Sequence, residues 1–186
     1  MTQTPQQSLS LSEFISQPET KPASEYIDGK IYQKPMSGGQ HSLIQGELCG
    51  VINKVAEPQK KACAFLELQC TFGGYSIVPD IAVFRWSRIP KTETGEIENY
   101  FGIAPDWLIE VVSSGHSMTL LLQKLIHCSQ QGTSLGWLIN VEEETIFVMR
   151  EEQRLNVFQG EERLPVLEGL DLELTVQEIL SWLTFK

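Results

Sequence analysis

The chain lacks any long apolar run, and this absence excludes a helix that spans a membrane. Its apolar stretches are short, such as Trp107 to Ile109 and Leu120 to Leu122, whereas a membrane-spanning helix needs about 20 apolar residues. The first ten residues, MTQTPQQSLS, have neither a cationic start nor an apolar stretch, unlike a secretory signal or a transit peptide. We therefore expect a cytoplasmic protein with no membrane partner.

Cysteine is also scarce. The four cysteines show no C-x-x-C spacing, and three of them have apolar neighbours: Cys49, Cys63, Cys70 and Cys128. This pattern is typical of small buried thiols in a reducing compartment rather than of zinc ligands or disulfides. A chain of 186 residues does not need such cross-links, because a domain of that size buries roughly 70% of its unfolded surface.

Basic residues are also scarce relative to acidic ones, with 14 lysines and arginines against 24 aspartates and glutamates. The formal net charge is −10, and residues 142–186 alone carry 11 acidic and 4 basic residues. This balance argues against a protein that grips nucleic acid through a broad basic face. Two local basic clusters remain, which are either a track for phosphates or ordinary solubilising charge: Lys54, Lys60 and Lys61, and Arg85, Arg88 and Lys91.

What the sequence does contain is a succession of helix and strand patterns that predicts one α/β domain over residues 9–186, after a disordered segment at 1–8. Apolar periodicity and turn residues predict helices at 12–17, 41–55, 117–131 and 176–183, with Ser12 as the first N-cap and Gly132 as a C-terminal cap. They predict strands at 63–71, 77–86, 107–112, 135–141, 145–149 and 155–158, and a hairpin at 25–32 that turns at Asp28-Gly29. This order indicates a mixed sheet flanked by helices.

Two carboxylates stand in unusual places. Asp80 is the one charged residue of the apolar run IVPDIAVF, and Glu110 is the one charged residue of WLIEVV. Strands this apolar are normally buried on both faces, where an ionised carboxylate costs several kcal/mol unless it is paired. The partner is either a lysine or arginine in a buried ion pair, or a hard divalent cation that both acids share. Pro79 indicates that the strand lies at a sheet edge or has a bulge beside Asp80, because a proline inside a strand is found at such positions.

Lys124 is the third candidate. It lies 14 residues after Glu110 on the next predicted helix, and it is the only lysine or arginine between Lys91 and Arg150. At the edge of an apolar stripe it could be a snorkelling surface lysine. Its alternative role is a cation beside a metal, where it orients a water molecule and stabilises charge on a phosphate.

These motifs, in their order along the chain, resemble the Uma-type putative restriction endonucleases of the PD-(D/E)xK nuclease superfamily. The resemblance runs from about Leu9 to Leu183. It covers LSLSEFISQPE, EYIDGKI, Met36-Ser37 with His41, PDIAV, PDWLIEVVS, the helix of Lys124 with Gly132, and WLIN. The resemblance implies a restriction-endonuclease-like fold, which is a mixed central sheet flanked by helices with an N-terminal hairpin.

The resemblance also implies an activity. Asp80 and Glu110 would ligate Mg²⁺ or Mn²⁺, and Lys124 would act from the helix, because Val112 stands where the superfamily motif has its lysine. Glu25 and His41 match recurrent family positions and would line the site. Glu25 could instead pair across its hairpin, and His41 could serve only to begin its helix. The expected function is a Mg²⁺-dependent endonuclease that hydrolyses nucleic acid, with DNA as the expected substrate; a homodimer is left open.

The chain departs from the family pattern near the expected site. Ser114 replaces a proline, Leu120 an acid, Cys128 a tyrosine and Asn140 an aspartate. These changes leave open a decayed nuclease that has kept its fold and acts as a binding or assembly module. A third interpretation is a hydrolase that uses Ser113 or Ser114 with His116. It receives little support, because the motif G-x-S-x-G is absent.

Overall fold

The computed structural model describes residues 9–113 and 115–185, which form two sheets, four α-helices and a short 3-10 helix at Trp86–Arg88. The helices are α1 (Leu11–Ile15), α2 (Gly39–Ala56), α3 (Met118–Gln130) and α4 (Val176–Ser181). The strands are β1 (Ser24–Ile27), β2 (Lys30–Gln33), β3 (Ala62–Leu66), β4 (Cys70–Phe72), β5 (Tyr75–Ile77), β6 (Ile81–Arg85), β7 (Trp107–Val112), β8 (Leu135–Asn140), β9 (Thr145–Arg150) and β10 (Leu155–Gln159). The mixed α/β architecture that the sequence predicts is confirmed.

The larger sheet has the strand order β10-β9-β8-β7-β6-β3. β7 and β8 run parallel, whereas each of its other neighbouring pairs is antiparallel. A parallel pair needs a crossover connection, and α3 supplies it. The residues of β7 from Trp107 to Val111 are all buried, as expected for a strand covered on both faces.

Alternating side chains of the larger sheet build two separate cores. On one face, α2 and α4 pack against residues such as Ile109 and Val111. On the other face, α3 and the smaller sheet, of order β2-β1-β5-β4, pack against residues such as Leu108 and Leu138. Glu110 shares the side of Leu108, since strand residues two apart point the same way. It therefore faces α3 and the smaller sheet.

Two predicted strands are each divided between the sheets. The predicted strand 63–71 is β3 of the larger sheet and β4 of the smaller one, with Glu67 between them at a φ of 48°. The predicted strand 77–86 is β5 of the smaller sheet and β6 of the larger one. Pro79 lies at the second break, because it has no N–H to give to a ladder. Asp80 thus precedes β6 rather than lying inside a strand.

Local signals placed most element ends correctly. The hairpin turns at Asp28 and Gly29, with φ values of 50° and 75°, and Gly132 follows α3 with a φ of 99°. Ser117 caps α3 by accepting a hydrogen bond from the Leu120 amide. The first cap was placed wrongly: Ser10, not Ser12, accepts from the Glu13 amide, and Glu13 bonds back to Ser10, because a capping box requires this spacing.

The remaining composition-based expectations concern thiols and membranes. All four cysteines are free, and three of them are buried, as expected for small apolar thiols. Between residues 9 and 185, Ser114 apart, no helix is both long and apolar enough to cross a bilayer. The predicted disorder of residues 1–8 falls outside the described residues.

Candidate active site

The two acids singled out from the sequence lie side by side. Asp80 and Glu110 are both fully buried, and the antiparallel register pairs Ile81 with Ile109. Oδ2 of Asp80 accepts a hydrogen bond of 2.7 Å from the Val111 amide. This bond ties the segment before β6 to β7 and fixes the Asp80 carboxylate next to the Glu110 side chain.

A lysine that the sequence analysis missed lies between them. Nζ of Lys34, the residue after β2, lies 2.6 Å from Oδ1 of Asp80 and 2.7 Å from the carbonyl oxygen of Val78. The same atom lies 3.9 Å from Oε2 of Glu110. Three oxygens from two segments, residues 78–80 and β7, therefore surround one ammonium group. No periodicity or motif marked Lys34, since its position depends on how the smaller sheet docks on the larger one.

Lys124 and Glu25 complete the cluster. Lys124 is 1% exposed, so the snorkelling surface role is wrong; its Nζ contacts Oε1 of Glu110 and lies 2.7 Å from Oε1 of Glu25. Oε1 of Glu25 also accepts a hydrogen bond of 2.8 Å from the Val78 amide. Glu25 is 3% exposed and points to this cluster, so the alternative of pairing across the hairpin is wrong too.

His41 joins the site from the first turn of α2. Its Nδ1 lies 2.6 Å from Oγ of Ser113, and its Nε2 lies 3.3 Å from Oδ1 of Asp80. His116 instead accepts a hydrogen bond from the Ser113 backbone amide, so it does not act on the Ser113 hydroxyl. The Ser–His116 pair of the hydrolase interpretation is therefore not formed at Ser113, and Ser114 lies outside the described residues.

Burial and the neighbouring charges act on the site's ionisable groups in opposite directions. Burial alone would raise the pKa of Asp80, but the His41 ring and the Lys34 ammonium hold that pKa well below its usual range. Burial raises the pKa of Glu110 to about 7, against the opposing charge of Lys124. Burial would lower the pKa of Lys124, yet its two carboxylate neighbours raise it, so this lysine stays protonated.

The oxygens around Lys34 suit a hard divalent cation. Mg²⁺ is typically held by one or two carboxylates and keeps several waters, which matches two carboxylates and one carbonyl oxygen. Oε2 of Glu110 is buried and has no hydrogen-bond partner among residues 9–113 and 115–185. Over the same residues, no group of three or more histidine, cysteine, aspartate or glutamate side chains is arranged to hold a metal. A metal here would thus depend on the two acids, the carbonyl and water.

The cluster opens into a cleft of about 350 Å³ between the hairpin and the start of α3. Glu25, Lys34 and Lys124 line its inner wall, and His116 and Leu120 lie nearer the start of α3. A larger cleft of about 650 Å³, lined by Arg85, Leu135 and Arg150 among others, lies at the opposite end of the strands and contains neither acid. Neither acid lines the smaller cleft either, but this cleft borders the cluster directly, because Glu25, Lys34 and Lys124 form part of its wall.

Neither basic cluster noted in the sequence borders this cleft. Arg85 and Arg88 both pair with Asp106, and Lys61 precedes β3 at the end of the sheet where Ala62 pairs with Arg85. Asp80 lies at the other end of β6. The position of these residues favours ordinary surface charge over a phosphate track that leads to the acids.

Comparison with known proteins supports the resemblance. The family model Uma2, described as "Putative restriction endonuclease", matches residues 11–177. A crystal structure of a putative nuclease belonging to DUF820 from Anabaena variabilis ATCC 29413 is 51% identical in sequence, with a TM-score of 0.92. The match covers 95% of this chain and 99% of that one. No curated protein matches the chain.

Proposed function

Because this chain belongs to the Uma2 family of putative restriction endonucleases, we propose that it is a divalent-metal-dependent endonuclease that hydrolyses phosphodiester bonds in DNA. One observation carries the proposal: oxygens of Asp80, Glu110 and Val78 surround a single cation position, with a second, buried lysine beside it. This is the donor set that Mg²⁺ or Mn²⁺ takes at phosphoryl-transfer sites. We assign the nuclease to one domain over residues 9–186.

Each side chain has a separate task in this proposal. Asp80 and Glu110 hold the ion, which when bound lowers the pKa of a coordinated water. Lys124 orients the attacking water and balances the negative charge that develops on the phosphate. Glu25 holds Lys124 in place by its 2.7 Å contact. His41 positions the Asp80 carboxylate, and the Ser113 hydroxyl orients the imidazole in turn.

The substrate must reach the acids through the cleft of about 350 Å³. With a net charge of −10, the protein cannot attract a duplex by its overall field. We therefore propose that contact with DNA is confined to the cleft and its lysines. The expected salt dependence of binding is shallow, since few phosphates are neutralised. A cytoplasmic location is part of the same proposal.

A decayed nuclease that acts as a binding module remains the second candidate, and one observation favours it. Each acid has a lysine partner, which is the buried ion pair that the sequence left open as an alternative to a shared cation. Leu120 lines the cleft where the family pattern has an acid. In this case the ion pairs are permanent and no metal binds.

Calorimetry distinguishes the metal-dependent endonuclease from the binding module. We expect Mn²⁺ and Mg²⁺ to bind the wild-type protein and not the Asp80→Asn variant, which keeps an acceptor for the Val111 amide. Asp171→Asn, an exposed acid far along the chain, is the control and should bind as the wild type does. Supercoiled plasmid and single-stranded DNA then test cleavage. Absence of binding by the wild type would favour the binding module; equal binding by Asp80→Asn would remove Asp80 from the ligand set.

We propose that a homodimer supplies two sites, one for each strand of a duplex. The larger sheet has two edge strands, β3 and β10. On β3 the Asn53 side chain bonds both backbone groups of Ala64, whereas on β10 Leu155 is 42% and Val157 is 47% exposed. The Arg150 amide donates to the Arg154 carbonyl, so the backbone groups of Leu155 and Val157 point away from β9 by the alternation of an antiparallel ladder. Two copies can thus pair about Val157 with their exposed apolar side chains on a common face.

Light scattering after gel filtration tests the dimer. Val157→Lys should convert a dimer to a monomer, because a charged edge strand resists pairing. Ile97→Lys is the matched control, since Ile97 is 51% exposed but lies in a loop away from β10. A monomeric wild type, or a dimer that Val157→Lys leaves intact, would rule out this edge.

A further inference from the structure

The ammonium group of Lys34 lies among the oxygens that the proposed function assigns to a metal. We propose that Lys34 is a built-in, exchangeable occupant of this position: its ammonium would leave Asp80 and Glu110 for the cleft when these acids hold a divalent ion, and there it would contact a substrate phosphate. This inference rests on the metal site of the proposed function. It adds a lysine that neither the family motif nor the sequence analysis assigned.

The contacts of the Lys34 Nζ atom support its role as the occupant of this position. It is bonded to Oδ1 of Asp80 at 2.6 Å and to the Val78 carbonyl at 2.7 Å, and it lies 3.9 Å from Oε2 of Glu110. Without this ammonium, the fully buried Asp80 carboxylate would lose its lysine partner, and an uncompensated buried charge is strongly unfavourable. The lysine therefore does in the metal-free protein what a metal would do in the loaded one.

The charge balance of the site supports the exchange of Lys34 for the divalent ion. Three buried carboxylates, those of Glu25, Asp80 and Glu110, face the two ammonium groups of Lys34 and Lys124. A divalent ion added to this set would leave one positive charge in excess, whereas an ion that takes the place of Lys34 leaves the carboxylates and cations balanced. A low-dielectric site strongly favours the balanced arrangement, so binding and departure of Lys34 are coupled.

Only one of the two lysines can leave. The Lys124 side chain is 1% exposed and is held by two carboxylates. The Lys34 side chain is 9% exposed and lines the cleft. It also stands at the end of β2, outside the larger sheet that carries both acids. Rotation about its side-chain bonds would carry the ammonium into the cleft without moving either sheet.

The cleft gives the displaced ammonium a function. A phosphodiester that reaches the acids must pass the mouth of the cleft, where Lys34 would meet a non-bridging oxygen. Such a charge-assisted contact strengthens as negative charge develops. Metal binding would in this way also expose a substrate contact, so that the metal-free protein binds DNA weakly.

Calorimetry with Mn²⁺ tests the exchange. Removal of the competing charge in Lys34→Met should tighten Mn²⁺ binding about tenfold or more, since the freed carboxylates attract the ion through a low dielectric. Lys30→Met is the control: it removes the same charge from an exposed position on the same hairpin and should bind as the wild type does. Binding by Lys34→Met that equals or falls below that of the control overturns the exchange while leaving the metal site intact.

A second measurement needs no variant and covers the case in which Lys34→Met fails to fold. Reductive methylation followed by peptide mass spectrometry should leave Lys34 unmodified in metal-free protein and modify it once Mn²⁺ saturates the site. Lys30 should react in both states and Lys124 in neither. Unchanged protection of Lys34 at saturating Mn²⁺ overturns the exchange alone. Failure of every protein to bind Mn²⁺ overturns the exchange together with the proposed metal site.

Discussion

Lys124 donates a 2.7 Å hydrogen bond to Oε1 of Glu25 across 99 residues of sequence. The same oxygen accepts the amide of Val78. One carboxylate therefore joins the hairpin, the segment between the two sheets and α3. This arrangement makes Glu25 a structural centre of the site, although it lies outside the acid pair that the sequence emphasised.

Truncation of Glu25 should cost more stability than loss of a surface acid with a similar contact. Glu25→Ala leaves the buried Lys124 short of a partner, so we expect a loss of about 3–5 kcal/mol, and Glu25→Gln should lose less because its amide oxygen can still accept. Glu173 forms an ion pair of the same 2.7 Å length with Arg163, but both are about 70% exposed or more. Glu173→Ala should stay within about 1 kcal/mol of wild type. Urea denaturation measures all three, and equal losses for both alanine variants would contradict this.

Replacement of Lys124 should impair folding as well as cleavage. Lys124→Met keeps much of the side-chain volume but leaves Glu25 and Glu110 short of a cation, at a cost of about 3–5 kcal/mol. The double variant Lys124→Met/Glu25→Gln should recover part of that loss while remaining inactive. Denaturation curves and plasmid cleavage on the same samples separate the two effects. A double variant whose loss equals the sum of the losses of Lys124→Met and Glu25→Gln would show that the two residues act independently.

Gly136 should not tolerate a methyl group. A Cβ at this position in β8 would lie 3.0 Å from Cγ of Leu125, the residue next to Lys124, so Gly136→Ala must displace the Leu125 side chain by a few tenths of an ångström. We expect a loss of about 1–3 kcal/mol, with a lower cleavage rate. A Cβ at Gly102 meets nothing within 4 Å, so Gly102→Ala serves as the control in thermal denaturation. Matching melting temperatures would contradict the close packing.

The cysteines should react slowly with a disulfide reagent in the native protein. Cys63 is the most accessible of the four, but burial and a 3.4 Å contact with Glu57 raise the pKa of its thiol to about 12. At pH 8 only about one thiol in ten thousand would be ionised, and the thiolate is the reactive form. Glu57→Gln should speed the labelling of Cys63 several-fold, whereas unfolding should expose all four thiols at once. Rapid native labelling would contradict the raised pKa.

The sequence predicted elements well where the determinants are local. The five apolar residues of β7 and the cap of Ser117 before α3 define their elements without help from the rest of the chain. The sequence-based prediction failed where one continuous run of residues contributes a strand to each of the two sheets. Nothing local in residues 77–86 states that β5 and β6 pair with different neighbours, and only Pro79 hinted at a break.

In the site, too, the residues with a local sequence signal were predicted and the residue placed by tertiary packing was not. Asp80 and Glu110 attracted attention because a charge in an apolar strand is anomalous by itself. Lys34 gave no such signal, since a lysine after a short hairpin strand is usually exposed. Its burial depends on contacts with Asp80 and Val78, 46 and 44 residues away, and such pairings are set by tertiary packing rather than by pattern.

The separation of Glu25 from Lys124 also affects how the protein is made. The hairpin leaves the ribosome well before α3 is synthesised, and 99 residues take about 5–20 s at usual translation rates. During that interval the carboxylate of Glu25 has no Lys124 to meet, and the smaller sheet has no α3 to cover it. In a nascent chain the carboxylate of this hairpin therefore stays hydrated until α3 is made. The interval before α3 emerges is the period in which a chaperone would protect the uncovered smaller sheet.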